Sequence, residues 1–290
     1  MPQMMGLEGV PLEERVRAFL VCPQCRRSFE VREERLWCGG CGFEGAIRDD
    51  VVIMSRETTA SYFDDRFLVM QEGHSEAQGD WEFAYRQQVA FLDRYLRTGS
   101  VLLDVGCGPS ICYRKPEGCF LVGLEYSFPS IRSNRDVDLR ICGSAATLPF
   151  GEGAVDLVIC FYSLHHMVGE SIRESSRILE KVFGELGRVV KAGGHLVVFE
   201  MRPWWPFRLV QSLCWDAARM VLGARLDVYM WPQAALEAPG KGRIPGARFE
   251  VRVFETSILE VFPPVFALPW LKVPRMMYPL SPVAYVWAKP

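Results

Sequence analysis

The chain has no long apolar run, no large net charge and no secreted-type cysteine framework, and each absence removes a class of protein. No stretch of its 290 residues reaches the ~18–20 uninterrupted apolar positions that a spanning helix needs. The nearest, 204–222, is broken by Arg208, Asp216 and Arg219. Glu8, Glu13, Glu14, Arg15 and Arg17 interrupt the first twenty residues, so no signal peptide is read there. Net charge is −2, and whole-molecule electrostatics give no reason to expect nucleic acid. Of ten cysteines, four sit in C-x-x-C pairs and six are scattered through α/β-patterned sequence, where a reduced thiol acts as a small hydrophobe. These features predict a cytoplasmic protein. The charge is uneven, however: residues 201–290 carry 11 Lys/Arg against 6 Asp/Glu, and six of the eight tryptophans.

Cys22-Pro-Gln-Cys25 is followed, twelve residues on, by Cys38-Gly-Gly-Cys41-Gly. Two such knuckles at this separation predict a zinc ribbon, with Cys22, Cys25, Cys38 and Cys41 as the ligands. Four thiolates leave no open position, so the zinc is expected to be structural. Gly39, Gly40 and Gly42 are expected to give the knuckles their backbone freedom. The intervening RRSFEVREERLW reads as a hairpin, and GFEGAIRDDVVIM as a further short strand. The domain reading is a ribbon over 1–55, a linker and cap over 56–80, and a main domain over 81–290.

The most informative stretch is VLLDVGCG at 101–108: a buried parallel strand, an aspartate, and Gly-x-Gly where the strand ends. The glycines let the chain bend so that a ligand can meet main-chain N–H groups. A second strand, LVGLE, ends in Glu125, 21 residues after Asp104. That is the spacing of one βαβ unit, in which a carboxylate holds a ribose diol.

These motifs resemble the class I S-adenosylmethionine-dependent methyltransferases, nearest to the type 11 group with its ubiquinone/menaquinone-type enzymes. CGSAATLPF150 resembles the adenine-side loop, AVDLVICFYSLHH166 the fourth strand with its active-site lip, and LGRVVKAGGHLVVFE200 the helix, turn and fifth strand. The ribbon resembles the small zinc proteins that partner tRNA methyltransferases, here fused in cis. The resemblance implies an α/β fold with a doubly wound, mostly parallel, seven-stranded Rossmann-like sheet. It implies S-adenosylmethionine as cofactor, bound by Asp104, Gly106, Cys107, Gly108, Glu125, Tyr126, Ser144, Ala145 and Phe161. His165 and His166 then face the transferred methyl, as candidates for a general base. Three departures stand out. Ser110 and Ser144 replace the usual Gly and Asp, and Pro109 to Pro116 leaves room only for a stubby first crossover helix.

Strands are expected at 101–105, 120–124, 138–142, 155–161 and 195–200, with a last antiparallel pair from RFEVRVFE255 and VAYVWAK289. Helices are expected at 81–97 and 171–190, the second closed by Lys191-Ala-Gly-Gly. Insertions at 203–245 and 258–282 are apolar, with tryptophan and arginine. They suggest a small hydrophobic or lipid-like acceptor and peripheral membrane contact through 203–231 and 258–282. The alternatives are an rRNA or tRNA base methyltransferase, which the ribbon favours and the charge does not, and a non-catalytic scaffold.

Overall fold

The computed structural model describes residues 10–54, 78–255, 261–262, 273–274 and 279–290. The expected linker and cap lie almost wholly outside these residues, as does most of the 258–282 insertion.

The chain begins with α1 (Leu12–Phe19), β1 (Glu30–Arg32), β2 (Arg35–Trp37), β3 (Glu44–Arg48) and β4 (Val51–Ile53), the four strands pairing antiparallel in sequence. The hairpin falls between the two knuckles, as its alternation predicts. The residue after each second cysteine turns left-handed, Arg26 at φ 65° and Gly42 at φ 71°. Gly42 is therefore the one knuckle glycine in that region, and an arginine takes the matching position in the other turn. The four Sγ atoms lie within 4.8 Å of one another, with Cys22–Cys41 at 3.5 Å and Cys25–Cys38 at 3.3 Å. A tetrahedron with bonds of ~2.3 Å has edges of ~3.8 Å, so the cluster fits a four-coordinate zinc.

The main domain adds α2 (Gln78–Leu92), β5 (Val101–Val105), β6 (Phe120–Glu125), α3 (Phe128–Ser133), β7 (Leu139–Cys142), β8 (Val155–Phe161), α4 (Ile172–Val189) and β9 (Val190–Pro203). It continues with α5 (Trp205–Leu222), α6 (Gln233–Arg243), β10 (Arg248–Val253), the two-residue pair β11 (Val261–Phe262) and β12 (Val273–Pro274), and β13 (Leu280–Ala288). Seven strands run in the order β7-β6-β5-β8-β9-β13-β10, parallel except for β13, which is antiparallel to both neighbours. β5 is buried along its whole length because helices and loops cover both faces, as parallel sheets require.

The sheet exceeds the expected seven strands. β4 pairs parallel with β7, Val51 opposite Arg140 and Ile53 opposite Cys142, and the four ribbon strands extend it to eleven. β7 would otherwise present an open edge of backbone donors and acceptors. Side chains cross the same boundary: Phe19 packs on Phe120 and Phe150 at 5.8 and 5.3 Å, and Arg26 reaches Glu185 at 2.8 Å and the Leu148 carbonyl at 2.5 Å.

Two local expectations change. No helix fills the first crossover: residues 106–119 run as turns between Pro109 and Pro116, and Tyr113 packs there with Phe91 and Leu92 of α2. Lys191 does not close a helix. β9 begins at Val190, and the lysine pairs with Asp156 at 2.8 Å, whose other oxygen accepts from Val101 N. α4 follows its stripe, burying Leu179, Val182, Phe183 and Leu186, with Ser171 accepting from Glu174 N as its cap.

Metal binding supplies on the order of 10 kcal/mol to a unit this small, and β4 carries that order into the main sheet. Elemental analysis of protein prepared without chelator is expected to give one zinc per chain. Cys38→Ser is expected to lose the metal and lower the melting temperature of the whole chain. Metal-free protein with an unchanged melt would contradict this.

Candidate functional site

The site forms where β5 ends and the chain leaves on one side for β6 and, later, on the other for β8, a topological switch point. Gly106 and Gly108 are left-handed, at φ 75° and 60°. A Cβ on Gly106 would overlap the Cβ of Ser163, whose hydroxyl donates to the Val105 carbonyl at 2.7 Å. The glycine thus lets the lip after β8 close directly onto the turn.

The turn amides are already used. Gly106 N donates to Leu124 O at 2.7 Å, and Gly108 N to Glu125 Oε2 at 3.2 Å. Glu125 Oε1 accepts from Tyr126 N and Ser127 N, at 2.7 and 3.0 Å. These two amides are thus taken up within the protein, and no helix N-terminus follows the turn to hold an anion. What the turn offers is acceptors. Asp104 is buried, takes a 2.7 Å hydrogen bond from the Tyr113 hydroxyl on Oδ2, and leaves Oδ1 buried with no hydrogen-bond partner. Burial pushes its carboxyl up to about 7. The Tyr113 bond works against that shift, and the Glu125 charge adds to it. A site of carboxylates suits a ligand rich in donors or positive charge: ribose hydroxyls, an ammonium, a sulfonium. It does not suit a pyrophosphate. The residues fit S-adenosylmethionine on this ground.

The remaining expected residues divide. Cys107 points its thiol toward Gly123 of β6, and burial drives that thiol well above its usual range, so only its backbone is at hand. Tyr126 stands 49% exposed at the end of β6. Ser144 Oγ accepts from Ala146 N at 3.2 Å, Ala145 is buried, and Gly143 N ties this loop to Glu125 O at 2.9 Å. Phe161 meets Tyr85, Tyr162 and Phe199 at ring separations of 5.3, 5.1 and 4.7 Å. Tyr162 was not foreseen. It sits at φ 53°, a strained conformation for a bulky residue, held by its N–H to Phe199 O and by Gln88 Nε2 to its hydroxyl at 3.1 Å.

The lip contains a pair that the sequence did not disclose. His165 Nδ1 lies 2.8 Å from Glu200 Oε2, and His165 N donates to Glu200 Oε1 at 3.2 Å. Glu200, at the end of the expected fifth strand, is 1% exposed. A buried carboxylate on Nδ1 fixes the tautomer and leaves Nε2 to take a proton. The His166 ring lies 4.1 Å from that of His165, tilted by 51°, and burial, reinforced by the His165 charge, holds its pKa well below the histidine range. The two histidines differ in partner: Glu200 holds His165 Nδ1, whereas His166 Nδ1 lies 3.4 Å from the Asp227 carbonyl oxygen. A strap after α5 binds the lip from outside: Tyr229 N donates to His165 O at 2.9 Å and Trp231 Nε1 to Leu164 O at 3.2 Å.

Residues 103–198 match the methyltransferase domain family. The tRNA (carboxymethyluridine(34)-5-O)-methyltransferase of Arabidopsis thaliana is 34% identical over 117 residues, 40% of this chain and 28% of that protein. The sterol 24-C-methyltransferase erg6 of Schizosaccharomyces pombe is 32% identical over 135 residues, 40% of this chain and 33% of that one. The chain thus spans about a third of the length of these two relatives. Among solved structures, a complex of the Haloferax volcanii Trm112 methyltransferase activator with a candidate methyltransferase superposes with a TM-score of 0.51 at 18% identity, covering 80% of this chain and 99% of that one. That likeness shows the fold.

A donor cation placed against Asp104 favours the ionised carboxylate, whereas burial alone favours the protonated one. Affinity for S-adenosylhomocysteine is therefore expected to rise with pH from about 5 and level off above about 7, and Asp104→Asn is expected to flatten the profile. Calorimetric titration across that range checks it. An unchanged slope in Asp104→Asn would assign the titration elsewhere.

Proposed function

We propose that this chain, whose residues 103–198 form a class I S-adenosylmethionine-dependent methyltransferase domain, methylates a small hydrophobic or lipid-like acceptor with His165 as general base. The observation that carries the reading is the His165–Glu200 pair, set in a lip that Ser163 fastens to the glycine turn. S-adenosylmethionine, when bound, supplies an electrophilic methyl on a sulfonium. The protein's task is then placement and proton removal. Glu125 and Asp104 receive the donors of the nucleoside and amino-acid ends. Phe161 and Tyr162 wall the lip with aromatic surface. Nε2 of His165 takes the proton that the acceptor atom sheds as it attacks the methyl carbon, and Glu200 stabilises the imidazolium that results. Tyr229 and Trp231 of the strap pack with Trp215 of α5 in a buried aromatic cluster beside the lip, in keeping with an acceptor that is itself apolar. The relatives include enzymes named for tRNA and for a sterol, so the acceptor is the point to test.

Methyl-labelled cofactor offered with a total lipid extract or with bulk tRNA is expected to label the lipid fraction. His165→Ala is expected to lower turnover about 10²–10⁴-fold without changing affinity for S-adenosylhomocysteine. Glu200→Gln, which keeps shape but not charge, is expected to cut turnover and shift its acidic limb. Label in tRNA alone would overturn the acceptor, and full activity in His165→Ala would overturn the base.

A further inference from the structure

Helix α5 buries Trp215 and Arg219 on one side and turns apolar residues outward on the other. Trp205 and Leu213 are each 73% exposed, Val210 60%, Met220 86% and Val221 83%, and Leu209 lies between them at 51%. At 3.6 residues per turn these positions fall on one broad face along the whole helix, on which the one charged residue is Asp216. Surface helices of soluble domains place charges there. At the N-terminal end of this face lies a cleft of about 370 Å³, where Arg202 and Arg208 line the wall with Trp205. The acid in the same cleft, Glu237, is neutralised by Lys241 at 2.5 Å, and Arg202 Nη1 contacts Gln233 at 3.3 Å. Arg225, exposed, follows the C-terminal end of the helix. Asp216 is occupied by the N-terminus of α4, accepting from Ile172 N at 2.7 Å.

We propose that α5 docks this protein on the surface of an anionic lipid bilayer. Its apolar face enters the headgroup boundary, and Arg202 and Arg208 receive lipid phosphates. The charge chooses this occupant over a second copy. Two such helices packed antiparallel about a two-fold axis would bring Arg208 against the partner's arginine at 225, whereas lipid phosphates complement both ends. Tryptophan at the margin of an apolar face, flanked by arginine, is the composition of a helix lying in the interface plane. The docking deepens the hydrophobic-acceptor reading, since α5 leads directly into the strap that clamps His165, but it is measured without turnover.

The test is co-sedimentation of the full chain with vesicles of phosphatidylcholine, alone or mixed equally with phosphatidylglycerol. Wild type is expected to pellet with the mixed vesicles and to be released by salt. Leu213→Asp with Met220→Asp is expected to weaken binding about tenfold or more for each side chain. Arg202→Gln with Arg208→Gln is expected to weaken it about fivefold per arginine. Titration with S-adenosylhomocysteine and a thermal melt on the same samples separate a failure of docking from a failure of fold or cofactor site. Wild type that binds S-adenosylhomocysteine yet ignores both vesicles overturns the proposal. So does a dimer that the Leu213/Met220 substitutions dissociate. Equal binding to both vesicle types, indifferent to salt, overturns the phosphate role of the arginines.

Discussion

The site depends on one close approach, between Gly106 and Ser163. β5 lies inside the sheet between two parallel strands, β6 and β8, from which the sheet is built outward to opposite sides. The ends of β5, β6 and β8 therefore meet at one place. They can meet closely only if the residue after β5 has no side chain, because Ser163 occupies the space where a Cβ would be. With that space open, the Ser163 hydroxyl bonds Val105 O, and the lip carrying His165 lies against the turn carrying Asp104 and Glu125. Glu125, Asp104 and His165 are brought to one end of the sheet by a backbone constraint.

The polarity of the site follows from what the backbone has already used. In a dinucleotide site, the turn after the first strand opens a helix whose free amides hold phosphate. Here the amides of Gly106 and Gly108 are bonded to β6 and to Glu125, and no helix begins. What lies unpartnered beside them is an acceptor, Asp104 Oδ1. The ribbon is connected to the same region. Arg26 bonds the carbonyl of Leu148 while Glu185 takes its N–H, so the loop at 143–150 is held between a cysteine knuckle and α4. The cysteine knuckle, the sheet edge and this loop are thus joined by direct contacts.

Much of this was legible in the sequence. Runs such as VLLDV and VDLVICF admit few readings besides buried parallel strands, and the cysteine spacing specifies a ribbon directly. The α4 stripe emerges at the residues its periodicity marks. What was not legible depends on tertiary contact. Nothing local distinguishes Glu200 from any carboxylate ending a strand; only the fold sets it against His165. Arg26 in a left-handed turn has no composition signal. The pairing of β4 with β7 joins short segments nearly ninety residues apart. The missing crossover helix was half visible, since two prolines bound the segment, but its replacement by Tyr113 packing on β5 was not. His165 and His166 are adjacent in sequence and alike in type, and only their partners in the fold, Glu200 for one and the Asp227 carbonyl for the other, make them different.

The most direct test is of Glu125 as the residue proposed to hold a nucleoside at this turn. The measurement is calorimetric titration of zinc-replete protein with S-adenosylhomocysteine, wild type beside Glu125→Ala, with the fold of both checked by melting. The account predicts saturable binding by wild type and its loss in Glu125→Ala. Folded wild type that binds nothing, or Glu125→Ala that binds as tightly as wild type, would contradict it.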